Sequence, residues 1–341
     1  MITIKEIARK LDLSTTTVSN VIHGKTGEVS PATIERVQKF LEEVDYVPNI
    51  SARNLALKKT KIVGVVLKSQ SYKHIGLLED PFVSSVLTGI EKTLREAGYF
   101  MMIYISDDIA EILTHVTSWN VDGLLLFYML DDDAARVSAK FKKPIVCIDA
   151  YYRENVGDFY VVGLDDENAA YNATKYLINN GHRKIGFLCD NYEATGVDYQ
   201  RFRGYRRALQ DAGIEYSDRN FYLLRPESEE ITKSLSKIQK KVKNVTAVLC
   251  SSDLYAIMLI SFLSDRGVSI PEELSVIGFD DNRLARWHRP ALTTVHQDIE
   301  EKGELAARTL IRILDGDPPA ERRIEMKSEL IIRDTVQKIG E

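Results

Sequence analysis

Thr15, Thr16 and Asn20 set two methyl-bearing hydroxyls and one carboxamide at helical spacing, with Ser14 just before them. Short groups of this kind can read base edges. A carboxamide pairs with N6 and N7 of adenine, and a threonine methyl suits the methyl of thymine. To do so they must stand on a helix that fits the major groove, and the stretch TIKEIARKLDLSTTTVSNVIHG, Thr3–Gly24, supplies one. Ile4, Ile7, Ala8 and Leu11 recur at helical spacing, with Lys5, Glu6, Arg9 and Lys10 on the other face. The pattern breaks at Leu11-Asp12-Leu13, and Ser14 then stands where an N-cap belongs. The second helix, Thr15 to about His23, is short and rich in β-branched residues, so it holds only if Val18, Val21 and Ile22 pack on the first. That packing turns Thr15, Thr16, Ser19 and Asn20 outward. The arrangement is a helix-turn-helix. Ser14, Thr17, Lys5 and Lys25 flank the reading face as phosphate contacts.

An ordinary helical hairpin would show the same apolar stripes, and the charge distribution argues against it. The chain of 341 residues has a formal net charge of −5, yet residues 1–61 carry ten Lys/Arg and seven Asp/Glu. A mildly cationic head (+3) therefore precedes an acidic body (−8), as expected of a DNA binder with a separate sensing part. So small a surplus also implies that tight binding needs two heads. Ser30-Pro31 opens a third helix over 31–44 with Ile34, Val37, Phe40 and Leu41 as its stripe. A linker follows, in which Asn49 can cap a short helix carrying an exposed Leu55.

From Lys61 the texture changes to alternating strands and helices, which predicts parallel, doubly wound sheets. Ligands of such sheets sit at the carboxyl ends of strands. Those ends are Phe127-Tyr128, Asp149, Asp190, Ser251-Ser252 and Asp280, with Arg201 at the mouth of the helix after Asp190. Asp149 and Asp280 are acceptors for vicinal hydroxyls, Arg201 is a fork donor, and Tyr128, Tyr151 and Tyr192 offer flat faces. A cap for Asp280 and a surface ion pair for Arg201 are the plainer alternatives. Lys68, Lys73 and His74 could reach a phosphate or carboxylate, with a solvated loop as the simpler account.

Enzyme signatures are missing. No G-x-G-x-x-G follows strand Ile62–Leu67, and the chain has no phosphate loop, no G-x-S-x-G and no H-E-x-x-H. The acids Asp131-Asp132-Asp133 read as helix-starting residues favoured by the macrodipole. Cys147, Cys189 and Cys250 share no metal-ligand spacing and read as buried thiols. No metal or cofactor is expected. The chain opens on an amphipathic helix with Glu6 and has no membrane-length apolar run, so a cytoplasmic protein without membrane contact is expected.

The succession IKEIA, LSTTTVSNVI, a third helix, YVPN, SARNLA and TKIVGVV is similar in order and spacing to the Lac repressor family of bacterial transcription regulators. STTTVS and the SAR-x-L segment look most like its purine repressor branch. The resemblance continues through GLLLFYMLDDDA (123–134), INNGHRKIGFL (178–188), RFRGYRRAL (201–209), AVLCSSDLYAIM (247–258), GVSIPEELSVIGFDD (267–281) and PALTTVHQD (290–298).

It implies a helix-turn-helix head over 1–48 and a hinge helix and linker over 49–60. An α/β domain of the periplasmic-binding-protein-like type I follows. Its first lobe would span 61–162 with 296–326, its second 163–295 with 327–341. The resemblance places Asp149, Arg201, Asp280 and Gln297 among effector-bonding positions. Leu55 falls where a hinge leucine wedges between base steps, and Arg53 beside the DNA backbone. Asn20 stands where many relatives have arginine, and Ser252 where asparagine is frequent beside the effector. The function implied is a ligand-responsive repressor of a carbohydrate-utilisation operon, binding a pseudo-palindromic operator as a homodimer without the leucine-heptad tail of tetrameric relatives. The alternative is a corepressor-dependent regulator answering a purine, a phosphorylated metabolite or a protein.

Overall fold

A computed structural model describes residues 2–22, 24, 26–46, 59–68, 76–129, 131–151, 157–190, 196–224 and 231–340. The chain forms two compact units, Met1–Thr60 and Lys61–Glu341.

The first unit holds three helices, α1 (Ile4–Leu11), α2 (Thr15–Ile22) and α3 (Pro31–Glu43). Each start is fixed by a side chain that accepts one of the backbone N–H groups a helix leaves unpaired. Thr3 and Glu6 form a reciprocal capping box on α1. Ser14 Oγ accepts from Thr17 N at 3.0 Å on α2, and Ser30 caps α3 ahead of Pro31. Asp12 adopts the left-handed conformation (φ 49°) that ends α1 and turns the chain into α2. Ile7, Ala8, Leu11, Val18, Val21 and Val37 are the buried core that makes such short helices stable.

The second unit is built on two six-stranded sheets. The first contains β1 (Ile62–Lys68), β2 (Phe100–Ser106), β3 (Gly123–Phe127), β4 (Ile145–Ile148), β5 (Tyr160–Leu164) and β11 (Arg323–Met326), in the order β11-β5-β4-β3-β1-β2 and all parallel. The second contains β6 (Ile185–Cys189), β7 (Phe221–Leu223), β8 (Ala247–Cys250), β9 (Ser275–Asp280), β10 (Thr293–His296) and β12 (Glu329–Ile331), in the order β12-β10-β9-β8-β6-β7, with β12 alone antiparallel. Near-continuous Val, Ile and Leu runs suit parallel strands covered on both faces. Helices α4 (Pro81–Glu96), α5 (Ile109–Ser118) and α6 (Asp131–Lys140) cover the first sheet. Helices α7 (Asp166–Asn179), α8 (Val197–Asp211), α9 (Ile231–Val242), α10 (Asp253–Ser264) and α11 (Arg283–Trp287) belong to the second.

Helix α12 (Ile299–Leu314) leaves the second sheet after β10 and packs on α4, β3 and β4 of the first. Its contact with α4 is close because both partners are glycine at the crossing. A Cβ on Gly89 would lie 2.1 Å from Glu300 O, and one on Gly303 2.1 Å from Val86 O.

The apolar run Val161–Leu164 predicts a strand that opens the second round of the fold. In the structure β5 belongs to the first sheet, pairing with β4 over Tyr160–Val162 and with β11 over Val161–Leu164, so an expected boundary after residue 162 cuts through that strand. Apolar pattern marks a strand but does not say which sheet it joins. Strands β7 and β11 and helix α9 were not anticipated. Helix α9 exposes Lys233, Lys237, Lys240 and Lys241 and buries Leu235, Ile238 and Val242.

Candidate functional site

On the head, α2 presents Thr15 and Thr16 exposed and Asn20 partly exposed, opposite the buried Val18 and Val21. Ser14 Oγ and Thr17 Oγ1 lie 2.8 Å apart, so the two groups expected at phosphates also brace the helix start. Lys5 is exposed on α1, and Arg36 of α3 donates to Leu11 O at 2.5 Å, closing the end of α1. Lys25, Arg53 and Leu55 lie outside the described residues.

In the second unit a cleft opens where carboxyl ends of strands from both sheets face each other. It leaves about 1030 Å³ of space, open solvent at its mouth included. Tyr128, Asp149, Arg201, Ser252 and Asp280 all line it. In each sheet the strand order runs outward both ways from one strand next to the edge (β1 in the first, β6 in the second), and that reversal creates a crevice for ligand. Tyr128 (φ 56°), Asp149 (φ 53°), Asp280 (φ 119°) and Asp281 (φ 54°) all have the left-handed backbone that favours glycine. Non-glycine residues held there store strain, which concentrates at functional sites.

The polar groups beneath the cleft form one connected chain. Lys302, fully buried on α12, donates to Asp149 Oδ1 and Oδ2 at 2.7 and 2.8 Å and to Gln297 Oε1 at 2.5 Å. Gln297 in turn donates to Asp280 Oδ1 at 2.6 Å. Arg201, 5% exposed, donates from Nε to Asp166 at 2.7 Å and from Nη1 to the carbonyl of Ser251, and that Nη1 lies 4.0 Å from Asp280. Its guanidinium stacks 3.5 Å above the Phe279 ring. Asp166 also accepts from the hydroxyl of Tyr151, which reaches across from the first lobe.

Burial pushes the Asp149 carboxyl above the usual carboxylate range against the pull of Lys302. Burial likewise pushes Asp280 up to about 7, opposed by Arg201 and the Gln297 amide. For Arg201 burial opposes the charge, but Asp166, Asp280 and Asp198 outweigh it and raise its pKa. Ser252 is the N-cap of α10, accepting from Tyr255 N at 3.3 Å. Among the described residues no cluster of His, Cys, Asp and Glu is placed to hold a metal ion.

The model of the bacterial regulatory proteins of the lacI family matches residues 3–49, and that of a periplasmic binding protein-like domain matches residues 174–336. The HTH-type transcriptional repressor PurR of Vibrio vulnificus is 33% identical over 348 residues, covering the whole of both chains. The chain belongs to the Lac repressor family. The ribose operon repressor of Haemophilus influenzae is 30% identical over 346 residues, covering 99% of this chain and all of its own. In fold, a Lac repressor dimer bound to operator and the anti-inducer ONPF matches with a TM-score of 0.84 at 22% identity, over 98% of this chain and 99% of that one.

As a Lac repressor family member the chain is a DNA-binding transcriptional repressor rather than an enzyme, with a head of the purine repressor branch. No helix among the described residues is long and apolar enough to cross a membrane. The fold brings five of the six expected effector residues to the cleft wall and sets the sixth, Gln297, just beneath it between Lys302 and Asp280. Both oxygens of Asp149 are engaged by Lys302, so its first task is to hold that lysine. Sequence reasoning missed Lys302 and Asp166. A lysine four residues after Asp298 in the amphipathic start of α12 looks solvated, and only the crossing of α12 onto the first lobe buries it. Lys68 pairs with Asp133, while Lys73, His74 and Tyr192 lie outside the described residues.

Proposed function

We propose that this repressor is controlled by a small hydroxylated effector held in the cleft between the lobes, and that it binds a pseudo-palindromic operator as a homodimer. The observation that carries the effector reading is the meeting of strained Asp280 and Asp149 with buried Arg201 at the strand ends of both lobes. A carboxylate facing vicinal hydroxyls and a guanidinium fork fit a sugar. The ribose operon repressor is a relative whose name points the same way. A second reading, a purine corepressor, is favoured by the relation to PurR along the whole chain.

A homodimer is supported by apolar side chains left open to solvent. Edge strand β2 carries exposed Phe100, Ile103 and Ile105, and Trp287 of α11 is 70% exposed. Such surfaces on edge strands invite a second copy. On the operator, Thr15, Thr16 and Asn20 meet base edges, and Ser14, Thr17, Lys5 and Lys25 meet phosphates. Leu55 and Arg53 serve at the centre of the site, where paired hinges bend the DNA. The protein works in the cytoplasm, where its operator is.

Thermal melts with sugars, nucleosides and purines identify the class, because a bound effector raises stability by mass action. A purine that stabilises the protein where no sugar does replaces the first reading with the second. For the head, a randomised-site selection with Asn20→Ala should relax one or two base pairs per half-site, about 1–3 kcal/mol of discrimination. An unchanged selected motif removes Asn20 from the reading face.

A further inference from the structure

Tyr151 stands just past the end of β4, yet it is not among the described residues that line the cleft. The Arg323 guanidinium covers one face of its ring, 4.9 Å from the centroid. Its hydroxyl meets two acceptors, Leu164 O at 3.0 Å and Asp166 Oδ2. A hydroxyl has one proton to give. Burial, and after it the charge of Asp166, push the Tyr151 hydroxyl above its usual range, so it remains a donor. A carboxylate is the stronger acceptor, and Leu164 O already accepts from Arg323 Nη2 at 3.0 Å. The proton therefore goes to Asp166.

Asp166, buried as the first residue of α7, gives its other oxygen to Arg201 Nε at 2.7 Å. Two further groups hold that guanidinium, the Ser251 carbonyl just past β8 and the Phe279 ring in β9. Both travel with the second sheet. Asp166 is bonded from the first lobe as well, through Tyr151. Arg201, which lines the cleft, is thus held from its own lobe and, one residue removed, from the other.

The two acceptors give the Tyr151 hydroxyl two resting places. A lobe movement that draws it from Asp166 costs little, because the proton can turn to Leu164 O. Asp166 then loses its tie to the first lobe, and the guanidinium loses a fixed direction. A ligand-binding group is only as well aimed as the bonds that lock its rotamer. We infer that Tyr151 is a positioning residue, which aims the Arg201 fork through Asp166 and releases it when the lobes shift against each other. The inference rests on the cleft being the effector site. It also gives the Tyr151 ring a different task from the flat ligand platform that its place after a strand suggests.

The test uses the full-length protein and the NMR signals of its arginine Nε–H groups. The Arg201 signal is identified by its loss in Arg201→Lys or, if that variant does not fold, by the ring-current shift that Phe279→Leu removes. Tyr151→Phe keeps the ring and deletes only the hydroxyl. In it the Arg201 signal should move and its exchange with solvent should quicken severalfold. Arg323→Ala, which frees Leu164 O to draw the hydroxyl away, should move the signal the same way. A tyrosine that only fastens the fold would lower stability and leave that signal in place, so an unmoved signal in Tyr151→Phe overturns the inference. Calorimetric titration with ribose, hypoxanthine and guanine gives the second readout. A probe that binds the parent should bind Tyr151→Phe about fivefold more weakly, the worth of one hydrogen bond. The double variant with Arg201→Lys should bind no more weakly than Arg201→Lys alone, because the tyrosine acts through the arginine. A probe weakened by Arg201→Lys but not by Tyr151→Phe overturns the inference and leaves the cleft standing. A probe that Arg201→Lys does not weaken removes the cleft as effector site, and the inference falls with it.

Discussion

The DNA-reading face of the head and the floor of the cleft solve opposite problems. The face of α2 is short, neutral and exposed, and its supports are near in sequence: Ser14 braces Thr17, and Thr3 braces Glu6. The cleft floor is charged and buried, and its members come from positions 149, 166, 201, 280, 297 and 302. Groups that greet DNA keep their water until the operator arrives. Groups under the cleft have lost theirs in folding and depend on one another. Substitutions in the first should alter specificity, and in the second the fold itself.

The sharpest way to break this contrast is to remove a buried cation. Arg201→Ala leaves Asp166 buried without its guanidinium and should destabilise the second unit by about 3–5 kcal/mol in urea unfolding. Lys302→Met should act in the same direction through Asp149, with Asp149→Asn restoring part of the loss in the double variant. If Arg201→Ala unfolds within 1 kcal/mol of the parent, the floor is not self-supporting.

A smaller effect is expected from pH. Asp280 holds its proton more tightly in the folded chain, up to about 7, than in the unfolded one. Its contribution to stability is therefore complete below the ordinary carboxylate range and is lost as pH rises through about 7. Asp149 and Asp253 shift in the same direction, burial being the cause in both. Between pH 5 and 8 the second unit should lose stability, with Asp280 accounting for on the order of 2 kcal/mol. Asp280→Asn should flatten that slope, whereas equal slopes in the two proteins would deny Asp280 any part in it.

The smallest effect belongs to the head. Ser14→Ala removes the cap of α2 and should cost about 1 kcal/mol in the melting of the head, leaving the second unit's transition where it was. A loss above about 3 kcal/mol would mean that the head depends on its polar groups as the cleft does.

The same contrast explains what the sequence made legible. Ser14, Val18 and Asn20 declare their roles within two helical turns, so the head could be read residue by residue. Strand ends marked Asp149, Asp280 and Tyr128 as cleft residues because a parallel sheet presents its ligands there. Lys302 and Asp166 could not be read this way. Each looks like an ordinary residue in the first turns of a helix, and what each does is set by a chain crossing that no local pattern records. β5 was given to the wrong sheet for the same reason.

Those crossings have a mechanical consequence. The chain passes between the two sheets three times, after β5, after β10 and between β11 and β12. Three short straps tie the two sheets together and resist their sliding and separation more than a rotation of one against the other. A joint of that kind carries a single number, the angle. Whatever enters the cleft, its chemistry is reduced to more or less of that angle before anything else in the molecule can respond. Inducer and corepressor would then differ only in sign, and a few residues at the straps would suffice to exchange one for the other.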